Sequence, residues 1–335
     1  MLQTILIGSD ELQAFYKKKF YFSYSGINKL LFSPSLFYNH YILNQREDST
    51  DTHLVAGRVL HCLLLEEDKY DDNFVTLPGK IPTDSQKKII DTIFKYHLIL
   101  GNNLLPLNYY SQEILSNLLT NNLYQSLKTD LQRIEKILTQ ENIEYFDFLK
   151  ISLDKTVVDE PTLALCKVSL EVLKTNQNVR DLLQMDKEDL DTTIEVYNEL
   201  FIKAERNGEP FGFHGMLDNV VIDHNTKTIF INDLKTLGKS IQDFPDSVAY
   251  YRYWIQVVIY MELAKERFAE FKDYAFQITF IVIDKYNQVY PYQVSEETLE
   301  KWKIDFNDVI TKIEWHYNNK RYDLPYDLAL SNIKL

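Results

Sequence analysis

The chain has only two cysteines, Cys62 and Cys166, among its 335 residues. Two thiols cannot build a disulfide framework, a four-cysteine zinc site or an iron–sulfur cluster. They read as reduced core residues. Long apolar runs are also lacking. The longest, "ITFIVI" and "WIQVVIYM", are too short or too interrupted to cross a bilayer. The opening "MLQTILIGSDELQ" has neither a basic stretch nor a signal-like cleavage site. These absences lead to the expectation of a cytoplasmic protein without a membrane segment. Positive charge is short too: 36 Lys and Arg stand against 49 Asp and Glu, a net charge of −13. Such a chain does not grip nucleic acid over its whole surface, which leaves only a local basic track. "YKKKFYFSYSG", with Lys17, Lys18 and Lys19, is the clearest basic-aromatic cluster. Its plain alternative is a solvated helix end. No clear repeat or low-complexity segment appears.

What is present is a 45% hydrophobic content, enough for one large domain or two modest ones. The 23 tyrosines fit an AT-rich coding sequence better than a base-stacking surface. To about Glu67 the pattern is helical, broken at "SP", where proline suits a helix start. "TDTHLVAGRVLHCLLLEED" reads as a second helix capped by Asp51 or Thr52. From about Ser85 to Leu183 helical patterns dominate. The character then changes to strand, hairpin, one long amphipathic helix over "FPDSVAYYRYWIQVVIYMELAKERF", a strand pair turning at "KYNQ", and a last helix opening at Ser295. That order describes an α/β sheet flanked by helices.

The hairpin "FHGMLDNVVIDHNTKTIFINDLKTL" carries charge where strands are usually apolar. Asp233 and Lys235 are two apart and share a face. With a four-residue turn, "DHNT" or "HNTK", Asp218 joins that face, directly opposite Asp233 or one diagonal step away. Those separations are roughly 5 to 8 Å between Cβ atoms. Two carboxylates so close can hold a hard divalent cation, and the peptide oxygen of Leu234 can add a ligand. Lys235 can then assist a water nucleophile beside a phosphodiester. The competing reading is a simple Asp233–Lys235 salt bridge. On the following helix Gln256 and Tyr260 project from one face. An aromatic core stripe accounts poorly for Gln256. His61, one turn after Gly57 in "AGRVLHCLLLEE", reads by itself as a core histidine.

Taken together, "AGRVLH", "GMLD", "INDLKT" and "QVVIY" resemble the RecB-like branch of the PD-(D/E)xK nucleases. With "SYSGINKLLFSP" and "AGRVLHCLLLEE", the closer likeness is to the phage and prophage exonuclease VIII (RecE-type) group, over roughly residues 23–75 and 190–265. The resemblance implies an α/β, restriction-endonuclease-like αβββαβ core with a central mixed sheet, flanking helices and a large helical insertion. With the helical pattern between, the chain divides into 1–84, the helical part carrying His61; 85–185, a helical insertion or lobe; and 186–335, the nuclease core. The resemblance makes Asp218 and Asp233 metal ligands with His61 and the Leu234 peptide, and Lys235, Gln256 and Tyr260 catalytic partners. Glu195 in "TIEVYNE" matches a further acidic ligand, with Glu199 close by. The implied cofactor is Mg²⁺, with Mn²⁺ as a substitute. The implied activity is exonucleolytic digestion of linear duplex DNA in phage or prophage recombination, inside a bacterial host cell. A single-strand annealing partner and a ring-shaped homo-oligomer go with it. The rival expectations are a repair nuclease of the same fold on single-stranded or structured ends, and a non-catalytic DNA-binding protein.

Overall fold

The structure is a computed structural model that describes residues 10–45, 51–188, 192–206 and 208–330. Residues 1–9, within the stretch read above for a leader, lie outside the described residues. Among those described, no helix is long and apolar enough to cross a membrane. The chain divides into two compact units. One comprises Met1–Gly57, Leu64–Glu66 and Ser169–Leu335, the other Arg58–Leu63 and Glu67–Val168.

The first unit opens with α1 (Asp10–Tyr16), β1 (Phe20–Phe22), α2 (Tyr24–Phe32) and α3 (Pro34–Phe37). Ser23 caps α2 by accepting from the Gly26 N–H at 3.2 Å. Pro34 starts α3, where its missing N–H costs nothing. β1 corrects the expectation of a wholly helical start. Its three aromatics suit a strand, and it pairs parallel with a long strand far away in sequence. Next comes α4 (Thr52–Leu65), whose cap is Asp51: its carboxylate accepts from the His53 N–H at 2.9 Å.

In the second unit α5 (Tyr70–Asn73) and β2 (Phe74–Thr76) precede four helices. These are α6 (Asp84–Ile99), α7 (Ser111–Thr120), α8 (Asp130–Glu135) and α9 (Gln140–Ile151). Then follow β3 (Thr156–Val158), which pairs parallel with β2, and the first half of α10 (Glu160–Thr175). Ile90, Ile93, Leu107, Ile114 and Phe146 build its core. The unit takes residues 67–84 with it. α11 (Gln177–Leu183) belongs instead to the first unit, because the Leu182 carbonyl accepts from Asn232 Nδ2 at 2.9 Å.

The sheet of the first unit is built from β4 (Ile194–Glu205), β5 (Phe211–Asp223) and β6 (Thr228–Leu237). After α12 (Phe244–Tyr250) and α13 (Tyr253–Arg267) come β7 (Ala275–Asp284) and β8 (Val289–Gln293), then α14 (Glu296–Asn319) and α15 (Tyr326–Leu330). β4, β5 and β6 run antiparallel in turn, β6 and β7 parallel, β7 and β8 antiparallel. This is the mixed, helix-flanked α/β sheet expected. The "KYNQ" turn falls between β7 and β8, and Ser295 caps α14 through the Thr298 N–H at 3.2 Å. One helix was expected where α12 and α13 stand. The break has a cause: the Tyr251 carbonyl accepts from Tyr24 Oη at 2.5 Å and Asn28 Nδ2 at 2.9 Å, and Arg252 turns left-handed at φ 56°.

β5 is buried along most of both faces, as a central strand must be. β4 covers one of its edges from Gly212 to Asp223. β1 pairs with Phe211–Phe213 and β6 with Asn219–Asp223, so both use the other edge. Between them that edge lies open over residues 214–218. Asp218, Asp233 and Lys235 gather at this opening.

Candidate active site

The β5–β6 turn is His224–Lys227, the "HNTK" alternative. Pairing runs from Asp223↔Thr228 to Asn219↔Asn232 and stops. The next rung sets Asp218 opposite Asp233. There the strands part, and Asp218 Oδ2 accepts from the Leu234 N–H at 2.7 Å. On β4 the pairs Asn198↔Asn219 and Leu200↔Leu217 place Glu199 opposite Asp218. Three adjacent strands therefore carry Glu199, Asp218 and Asp233 on one rung. Carboxylate oxygens of Glu199 and Asp218 lie within 4.8 Å. Asp218 is 8% exposed and Asp233 1%.

The rung is also where the pleat resets. Core positions on β4 and β5 are Tyr197, Val220 and Ile222 on one side of it, and Leu200, Ile202, Leu217 and Phe213 on the other. The parity of inward residues changes across it. Glu199 absorbs the change with a left-handed backbone, φ 46°, uncommon for a residue with a side chain.

α13 packs beside this rung through Gly215. A Cβ on Gly215 would stand 2.8 Å from Cε1 of Tyr260, so only glycine lets that ring come this close to β5. Gln256 Nε2 then donates to Asp233 Oδ1 at 2.8 Å and to the Tyr260 hydroxyl at 2.9 Å. Lys235 forms an ion pair with Asp233. Burial acts to lower the Lys235 pKa, but the charges of Asp233 and Asp218 outweigh it, and the ammonium is held above its ordinary value. Burial, then the charges of Asp233 and Asp218, push Tyr260 well above the usual phenol range, so its hydroxyl keeps its proton.

The donor set fits a hard divalent cation. Carboxylates crowded this closely repel unless a cation or proton is shared, and oxygen donors suit Mg²⁺. Gln256 Oε1 is buried beside the same carboxylates and has no hydrogen-bond partner among the described residues.

Behind the rung lies a ladder of asparagines. Asn232 Nδ2 donates to Asn219 Oδ1, and Asn219 Nδ2 to Asn198 Oδ1, both at 2.8 Å. Asn198 Nδ2 reaches the Leu65 carbonyl at 3.0 Å, which ties the end of α4 to the sheet. This ladder holds the three strands in register one residue from the carboxylates.

Asp218, Asp233, Lys235, Gln256 and Tyr260 are thus brought together, and the Leu234 N–H faces Asp218. Glu195 is not. It accepts from the Tyr197 hydroxyl and pairs with His224 at 2.8 Å, four residues up β4 from Glu199, and those two bonds lower its pKa. The carboxylate on the rung is Glu199. Nothing in the sequence dictated the β4–β5 register that decides between the two. Lys19 of the basic cluster pairs with Glu205 beside β1 rather than ending a solvated helix. His61 lies on α4, in the stretch belonging to the second unit. The residues one turn to either side belong to the first: a Cβ on Gly57 would approach Thr236 Oγ1 to 3.3 Å, and Leu65 is bonded to Asn198. The asparagine ladder and the Tyr24 and Asn28 clamp leave no signal in the local sequence.

The model of the PD-(D/E)XK nuclease superfamily matches residues 21–323, and the chain belongs to that superfamily. The sequence has a D-x-K at Asp233-Leu234-Lys235, and Leu217 precedes Asp218 where the superfamily's name has proline. No curated protein matches the sequence. Among solved structures, a crystal structure of a "Putative exonuclease" from Eubacterium rectale is similar with a TM-score of 0.46 and 11% identity, over 98% of this chain and 95% of that one.

Proposed function

We propose that the chain is a Mg²⁺-dependent DNA exonuclease that hydrolyses phosphodiester bonds from the ends of linear DNA. The observation that carries this reading is the Glu199–Asp218–Asp233 rung with Lys235 beside it and Gln256 and Tyr260 against it. Asp218, Asp233, Glu199 and the Leu234 peptide oxygen would hold the ion. In an extended strand a residue's N–H and C=O point to the same side, so the Leu234 carbonyl shares the Asp218 side of β6. His61 is a further ligand in this reading. It sits on α4 four residues after Gly57 and four before Leu65. When bound, Mg²⁺ or Mn²⁺ supplies positive charge that offsets the carboxylates and polarises the phosphodiester.

The chain's own residues do the rest. Lys235, kept protonated by Asp233 and Asp218, meets negative charge as it grows on the attacking water and the phosphate. Gln256 fixes the Asp233 carboxylate by one oxygen, leaving the other toward Lys235. Tyr260 holds Gln256 in turn.

The resemblance to the exonuclease VIII group supports a place in phage or prophage recombination within a bacterial cytoplasm, with a single-strand annealing partner and a ring-shaped homo-oligomer. The test is incubation with linear duplex, linear single-stranded and closed circular DNA, with and without Mg²⁺. Nucleotide release from linear DNA alone, and only with the metal, is expected. Cutting of closed circles at a comparable rate would overturn the exonuclease assignment, and activity that survives chelation would overturn the metal.

A further inference from the structure

We propose that Tyr250 and Tyr251 form a stacking platform for an unpaired nucleobase of the strand whose phosphate enters the Asp233–Lys235 site. The proposal rests on the nuclease reading above and narrows its substrate to DNA that presents a single-stranded or frayed end. It also departs from the expectation that the tyrosines carry no base-stacking surface, at these two positions.

The geometry begins at the α12–α13 junction. Tyr250 is 80% exposed and Tyr251 49%, and their rings meet edge to face at 4.9 Å. A single exposed aromatic needs no explanation. Here the exposed pair continues inward. Tyr251 stacks on Tyr253 at 5.5 Å with the planes 26° apart, and the Lys235 ammonium lies 4.9 Å from the Tyr253 ring centre. A file of rings therefore leads from solvent to the ammonium that pairs with Asp233.

The platform is also held in place. The Tyr251 carbonyl takes two side-chain donors, Tyr24 Oη and Asn28 Nδ2, from α2. Arg252 follows in a left-handed turn, with its guanidinium 3.5 Å from Asn28 Oδ1. A backbone fixed before binding loses little freedom when a ligand arrives.

The occupant follows from chemistry. A nucleobase offers a flat π-face, and stacking on aromatics tolerates any sequence. In a duplex interior both faces of each base are covered by neighbours, so only an unpaired or terminal base can use the platform. The net charge of −13 disfavours a grip by long-range attraction to phosphate, and stacking supplies affinity that does not need it.

The experiment uses the full chain and oligothymidylate carrying 2-aminopurine at successive positions from either end, bound in Ca²⁺. Quenching at one position is expected for the wild type. It should be lost in Tyr250→Ala and Tyr251→Ala, and kept in Tyr250→Trp and Tyr251→Phe. With Mg²⁺, the alanine variants should raise KM for single-stranded ends roughly tenfold and leave kcat within a factor of two. Unchanged unfolding midpoints verify the fold, and the exposure of Tyr250 makes its variant safe in that respect. If the wild type cleaves DNA but the alanine variants keep quenching and KM, the platform is wrong and the nuclease reading stands. A wild type that neither binds nor cleaves any DNA removes both. Alanine variants that change oligomeric state on size-exclusion chromatography while quenching is intact would assign the rings to a second copy of the chain and overturn the proposal.

Discussion

Gln256 donates from its buried amide to one oxygen of Asp233 at 2.8 Å, while Lys235 pairs with the other. A carboxylate 1% exposed is thus clamped from two sides. Gln256→Ala removes one clamp and leaves the charge. A hydrogen bond to a charged group is worth about 1.5–3 kcal/mol, so turnover should fall roughly ten- to hundredfold. Lys235→Ala should cost more, several orders of magnitude, with metal affinity largely kept, because the ammonium acts in the transition state. Single-turnover cleavage beside calorimetric metal binding separates the two. Wild-type turnover in Lys235→Ala would reduce Lys235 to a salt-bridge partner.

Glu199 and Glu195 make a paired test. Glu199→Gln and Asp218→Ala should each weaken Mg²⁺ binding and abolish or nearly abolish cleavage. Glu195→Gln should leave both within a few-fold, since that carboxylate is committed to Tyr197 and His224. The opposite ranking in a metal titration would restore Glu195 to the site.

Glu195 should show itself in acid instead. Its pKa is lowered, by the Tyr197 bond first and by His224 next. A carboxyl whose folded pKa is depressed adds stability above its unfolded value, about 4.3, and loses it as pH falls through the folded value. The wild type should therefore lose more stability than Glu195→Gln between about pH 5 and pH 3. Urea unfolding at stepped pH measures the difference, and parallel curves would contradict the assignment.

Gly215→Ala tests the seat of Tyr260. The new Cβ would stand 2.8 Å from Tyr260 Cε1 and 3.2 Å from Leu263 Cδ1, so ring and helix must shift. Overpacking of this kind costs about 1–3 kcal/mol. Activity should fall further than stability, because the Gln256 bond to Asp233 moves with α13. Thermal melts compared with cleavage rates decide it; equal small effects would show that the seat does not matter for the site.

Asn219→Leu breaks the ladder at its centre. It leaves Asn198 and Asn232 with unsatisfied groups, at about 1–3 kcal/mol each. The unfolding midpoint should drop, and Mg²⁺ affinity should drop with it as Glu199 and Asp218 lose their register. Hydrogen exchange at the Leu234 amide, bonded to Asp218, reports the loosening directly. Unchanged exchange and metal affinity would make the ladder a stability feature alone.

Much of this was determined by the sequence itself. Alternation over "GMLDNVVID" and "TIFINDLKTL", with a four-residue turn, is enough to bring Asp218 to the face of Asp233 and Lys235, directly opposite Asp233 or one diagonal step away, because a hairpin is local and its register follows from its turn. Helical spacing likewise places Gln256 and Tyr260 on one side of α13. Tertiary structure decided what the local pattern leaves open. β4 meets β5 across a loop that does not fix their register, so only the folded sheet chooses Glu199 over Glu195 and bends Glu199 into a left-handed backbone. β1 is a strand only because the free edge of β5 accepts it. The break between α12 and α13 exists because Tyr24 and Asn28, more than 200 residues earlier, take the Tyr251 carbonyl. The last two are hydrogen bonds between groups far apart in sequence, and no local pattern encodes which partner a backbone group will find.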